Sequence, residues 1–130
     1  MNVDLINIIS LAYLGDSVYE IYVREYLIKK GIAKVEDLQK EAVKYVSAKS
    51  QCKILSYLMD NNLLTDIELD VVKRGRNYKR TSHPKNTDII TYKMSSGFEA
   101  MIGYLYFTNN KDRLDKVMSY ILGGNYEKDN

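Results

Sequence analysis

The sequence predicts an all-α domain, and three observations carry that expectation. Apolar residues recur at spacings of three and four along nearly the whole chain, the period of helices packed on one face. Only one proline is present, Pro84, so little interrupts that pattern. Glycines fall where helices should stop, at Gly31 and at Gly123-Gly124. The 130 residues are 45% apolar and 28% charged, which suits one buried core. No repeat, low-complexity tract or linker divides them, so residues 1–130 read as a single domain of about seven helices.

The elements follow in order. A first helix is expected from Asp4 to Tyr13 and a second from Leu14 to Lys30, stopped by Gly31. A third should run from Val35 to Tyr45 and a fourth from Ala48 to Asn61. Thr65 and Glu68 have the spacing of a capping box and should open a fifth helix that runs into a basic segment. Thr81 to Thr87, around Pro84, should be a loop. A sixth helix is expected from Lys93 to Thr108, and a seventh from Lys111 to Leu122.

Several classes are excluded or disfavoured. No stretch approaches the roughly 20 apolar residues of a membrane span, and the amino terminus lacks the pattern of a secretory signal. A cytoplasmic location is the expectation. The single cysteine, Cys52, cannot form an intrachain disulfide and fits a reducing compartment. Its place in the apolar-patterned stretch Ser50 to Leu58 suggests a core thiol.

The second helix carries two acids on a stripe that is otherwise apolar. Leu14, Val18, Ile21, Tyr22 and Ile28 make one face; Ile9, Ala12, Val23 and Leu27 lie near the opposite one with Asp16 and Glu20. A helix apolar all round is central in its domain or covered by a partner chain. An ionised Asp16 buried there needs a partner, a hydrogen bond or a metal. Glu20, one turn on, shares the stripe. The sixth helix repeats the arrangement, with Glu99 between Ser95-Ser96 and Gly103. Small residues beside each acid, Ala12 and Gly15 among them, let helices approach closely, so the two helices should cross there and bring Asp16 and Glu99 together. Such a pair repels unless it shares a proton or a cation, and magnesium is content with one or two carboxylates. Two structural readings stand beside this one: Asp16 as a capping residue, and Glu99 as a buried salt-bridge partner.

The net charge of +2 is unevenly placed. Lys73, Arg74, Arg76, Lys79, Arg80 and Lys85 fall in one segment that holds no acid between Asp70 and Asp88. A mildly acidic body with one concentrated basic segment suits a polyanion-binding surface, or a solvated helix end and loop.

The segment Leu11-Ala12-Tyr13-Leu14-Gly15-Asp16-Ser17-Val18 resembles the signature of the ribonuclease III family, and Glu99-Ala100-Met101-Ile102-Gly103 resembles its second motif. Arg74-Gly75-Arg76-Asn77, and Pro84-Lys85-Asn86-Thr87-Asp88 followed by Thr91-Tyr92, resemble the Mini-III branch, which lacks a separate double-stranded-RNA-binding domain. The likeness covers nearly the whole chain. It departs from the larger enzymes at two of four acidic positions, where Ala12 and Ser96 stand here, as expected of that branch.

The resemblance implies an endoribonuclease working as a homodimer, with one site per strand of a double-stranded RNA, leaving 5′-phosphate and 3′-hydroxyl ends. Its cofactor would be Mg2+, with Mn2+ as a substitute. Asp16 and Glu99 are the implied catalytic and metal-binding residues, with Glu20 in an outer shell. Lys73, Arg74, Arg76, Asn77, Lys79, Arg80, Lys85, Asn86 and Thr87 supply donors for phosphates and 2′-hydroxyls, which is how duplex RNA is read. His83 is a phosphate contact or a bystander, and Tyr13 and Tyr92 are the tyrosines nearest the motifs. The substrate implied is precursor large-subunit (23S) ribosomal RNA, with room for a ribosomal protein as helper. The loss of two acids also admits a non-catalytic duplex-RNA-binding or ribosome-associated protein that kept the fold.

Overall fold

The computed structural model describes residues 1–79, 85, 88–123 and 126. Among them are a short 3-10 helix, Val3–Leu5, and six α-helices: α1 (Ile8–Lys29), α2 (Val35–Val46), α3 (Ala48–Asp60), α4 (Asp66–Arg76), α5 (Ile89–Phe107) and α6 (Lys111–Leu122). No strand occurs among the described residues.

The expected ends of α2, α3 and α6 match these bounds to within a residue, and α4 opens directly after Thr65 as expected. Thr65 and Glu68 form the capping box in both directions: Glu68 N–H donates to Thr65 Oγ1 at 3.2 Å, and Thr65 N–H donates to Glu68 Oε1 at 2.9 Å. Two expectations need correction. The break expected between Tyr13 and Leu14 does not occur: α1 continues through both, and Gly15 lies buried inside it, where the backbone of α5 presses against it. Also, α5 starts four residues before Lys93, because Asp88 caps it. The Asp88 carboxylate accepts from Thr91 N–H at 2.9 Å and from the Thr91 hydroxyl at 2.8 Å, and these bonds hold its carboxyl below the usual range.

Helix α5 is the central element, with α1, α3 and α4 packed around it. Ser95 to Ala100 and Met101 to Gly103 are buried except at Glu99, so α5 meets protein on nearly every side. Tyr19 of α1 stands edge-on to Phe98 of α5, ring centres 4.9 Å apart, and its hydroxyl donates to the Tyr45 carbonyl of α2 at 3.0 Å. Burial pushes that phenol far above its ordinary value, so it stays a donor. On the other flank Glu68, only 2% exposed, takes two bonds from Arg113 of α6, at 2.6 and 2.8 Å. Arg113 also donates to the Leu63 carbonyl at 2.7 Å, fixing α6 to the start of α4.

Cys52 is half-buried on α3 rather than a core residue. Burial and the nearby Asp88 charge push its thiol up, away from the reactive thiolate. No helix among the described residues is long and apolar enough to cross a membrane.

Candidate active site

The crossing of α1 and α5 is built on two glycines. A Cβ on Gly15 would lie 1.8 Å from the Glu99 carbonyl oxygen, and one on Gly103 would lie 1.9 Å from that of Leu11. Backbone meets backbone there, which only glycine permits. The motif residues Gly15-Asp16 and Glu99 to Gly103 are therefore neighbours in space, as the small residues suggested. The local environment of the first acid was misjudged, however. Asp16 is exposed, since Gly15 takes the inward position and turns the next residue out along the helix. Glu99 is half-buried, and Ala12 and Ser96 lie inside, at 4% and 2% exposure.

A second glycine pair seats α4 on the same helix. A Cβ on Gly75 would stand 2.9 Å from the Gly97 Cα, and one on Gly97 would stand 2.6 Å from the Val72 carbonyl oxygen. The basic end of α4 is thus held against α5 two residues before Glu99. Lys73 and Arg74 are exposed, as are Asn77 and Lys79, while Arg76 is half-buried with its Nε donating to Asn77 Oδ1 at 3.2 Å. Lys85 is exposed. Arg80, Asn86 and Thr87, and with them His83 and Pro84, lie outside the described residues.

Glu20 is engaged elsewhere on its helix, accepting from Arg24 at 2.6 Å with both groups partly solvated. Tyr13 is open to solvent, whereas Tyr92 is half-buried and its carbonyl accepts from the Ser95 hydroxyl at 2.9 Å.

The sequence reading missed Gln51 on α3. Its Nε2 donates to the Val46 carbonyl at 3.2 Å and lies 3.4 Å from Glu99 Oε2. Its Oε1 is buried and has no hydrogen-bond partner among the described residues. The available signal was a polar residue in phase with Ile54, Leu55 and Leu58, all on the inward face. No group of three or more acids, histidines or cysteines that could hold a metal ion occurs among the described residues. Carboxylate oxygens beside an unmet amide carbonyl fit a hydrated, oxygen-preferring cation such as magnesium.

Fold and site together describe a ribonuclease III-type catalytic domain, and residues 9–110 match the model of the ribonuclease III domain. The chain is 45% identical to Mini-ribonuclease 3 of Streptococcus pneumoniae over 94% of its own length and 95% of the relative's. It is 45% identical to the Staphylococcus aureus Mini-ribonuclease 3, covering 93% and 90%. A crystal structure of a Fusobacterium nucleatum protein superposes with a TM-score of 0.81 at 26% identity, covering 94% of this chain and 96% of that one. The chain belongs to the ribonuclease III family, in its Mini-ribonuclease 3 branch, and is an endoribonuclease.

Proposed function

We propose that the chain is a magnesium-dependent homodimer that cuts both strands of double-stranded RNA and matures the ends of precursor large-subunit (23S) ribosomal RNA in the cytoplasm. The observation that supports the cleavage reading is the close backbone crossing of Gly15 and Glu99, which brings the two motifs together, with exposed Asp16 next in the chain to Gly15 and the basic end of α4 seated on the same helix.

Asp16 and Glu99 would hold the cation. When bound, magnesium offsets charge that builds on the phosphate oxygens and makes water more acidic. Asp16, open to solvent, is placed to orient an attacking water, and Glu99, half-buried, is the firmer ligand. Lys73, Arg74 and Arg76 meet the backbone phosphates, with Asn77 and Lys79 beyond them. Arg80, Lys85, Asn86 and Thr87 continue that surface in the sequence. Glu20 belongs to the outer part of the site through its position one turn from Asp16, its carboxylate already paired with Arg24.

The dimer rests on uncovered apolar side chains. Ile21 and Ile28 of α1 are 64% and 59% exposed, and Tyr106 and Phe107 at the end of α5 are 55% and 40% exposed. Ile21, Tyr106 and Phe107 line a mostly apolar cleft of about 500 Å³. Such a surface marks an interface, and a two-fold pair presents one site to each strand.

Incubating the protein with a long perfect RNA duplex, with magnesium or with chelator, tests the reading. Magnesium-dependent cleavage to 5′-phosphate ends is expected. Binding without cleavage would leave the non-catalytic RNA-binding alternative, which the loss of acids at Ala12 and Ser96 makes the competing one.

A further inference from the structure

Gln51 occupies a position where an apolar residue would pack without cost. It shares the inward face of α3 with Ile54, Leu55 and Leu58, and it is 1% exposed. The neighbours of its Nε2 end are both acceptors, the Val46 carbonyl and the Glu99 carboxylate, so that end is the donor and the other is the carbonyl. That carbonyl, Oε1, lacks a donor among the described residues. Buried polar atoms without a partner are few in native proteins, and each calls for an explanation.

We propose that Gln51 is a positioning residue for the cation site, an inference that rests on Glu99 being a cation ligand. Its Nε2 steadies Glu99 Oε2, and its Oε1 accepts a hydrogen bond from a water of the cation's hydration shell. Magnesium sheds its waters reluctantly, so a site of one or two carboxylates must offer acceptors to the waters that remain. A buried amide anchored at one end to the Val46 backbone is a fixed acceptor of that kind. Groups of this sort commonly account for 10- to 100-fold in metal affinity.

The test is a titration of the RNA-free protein with manganese chloride, following free Mn2+ by electron paramagnetic resonance. The parent, Gln51→Met, Gln51→Leu and Glu99→Gln would be compared, with melting temperatures taken in chelator. Both Gln51 variants remove the unmet acceptor, so they should melt no lower than the parent in chelator, yet bind Mn2+ about 10- to 100-fold more weakly. Parent-like Mn2+ affinity in either folded Gln51 variant, with binding lost in Glu99→Gln, would overturn the Gln51 assignment alone. Binding retained in Glu99→Gln, or absent from the parent, would overturn the reading of Glu99 and this inference with it.

Discussion

Gly15 lies with its Cα against the carbonyl oxygen of Glu99, so closely that a Cβ would sit 1.8 Å from that oxygen and 2.7 Å from the Gly103 nitrogen. Both obstacles are backbone, and neither side can yield by turning a side chain. Gly15→Ala must therefore separate α1 from α5. A loss of about 3 kcal/mol is expected in urea unfolding, with cleavage falling more than about tenfold because Asp16 and Glu99 part. A stable, active variant would mean that the crossing is looser than described.

The ion pair of Glu68 and Arg113 gives a pH signature. Burial alone would raise the Glu68 carboxyl, but the bonds from Arg113 and Thr65 outweigh it and hold the group below its ordinary value. A lowered carboxylate stabilises the fold above the unfolded value of about 4.3 and stops doing so as pH falls through the folded value. Urea midpoints should therefore drop below about pH 4.3 in the parent. Arg113→Leu should cost about 3 kcal/mol at neutral pH, since it strands a buried charge, and should flatten the acid limb. An unchanged acid limb would contradict this account.

Lys73 and Arg74 are exposed on the α4 end that Gly75 and Gly97 hold against α5. Lys73→Ala and Arg74→Ala should each weaken duplex binding regardless of sequence and lower the slope of log affinity against log salt by about 1. Fluorescence anisotropy across a salt series reads both quantities. Unchanged slopes would move the RNA to another face.

Ile21→Asp should convert a dimer to a monomer in sedimentation velocity, because it places a charge in the apolar cleft beside Tyr106 and Phe107. A parent that sediments as a monomer would remove the two-strand reading.

Helix type and most boundaries were legible because they depend on local signals. The Thr65–Glu68 capping box lies within four residues of sequence, and the Lys111–Leu122 helix stands between a loop and a glycine pair. The break expected between Tyr13 and Leu14 is absent: α1 runs straight through, and Gly15 admits the α5 backbone without interrupting the helix. The Asp88 cap was overlooked beside the proline loop. Small residues around Asp16 and Glu99 revealed that their helices meet, but not that Asp16 faces solvent. Gln51 and Arg113 escaped notice because their partners, Glu99 and Glu68, lie 48 and 45 residues away. Only tertiary packing connects them.

The measurement that tests the central claim most directly compares the parent with Asp16→Asn and Glu99→Gln on one long RNA duplex, scoring binding, cleavage and unfolding together. Asp16 is exposed, so its variant should keep the parent's stability to within about 0.5 kcal/mol. Both variants should bind duplex as the parent does and cleave it at least about 100-fold more slowly, as removal of a group acting in the transition state does. Cleavage at the parent's rate by folded Asp16→Asn would contradict the account and place the reaction at other residues.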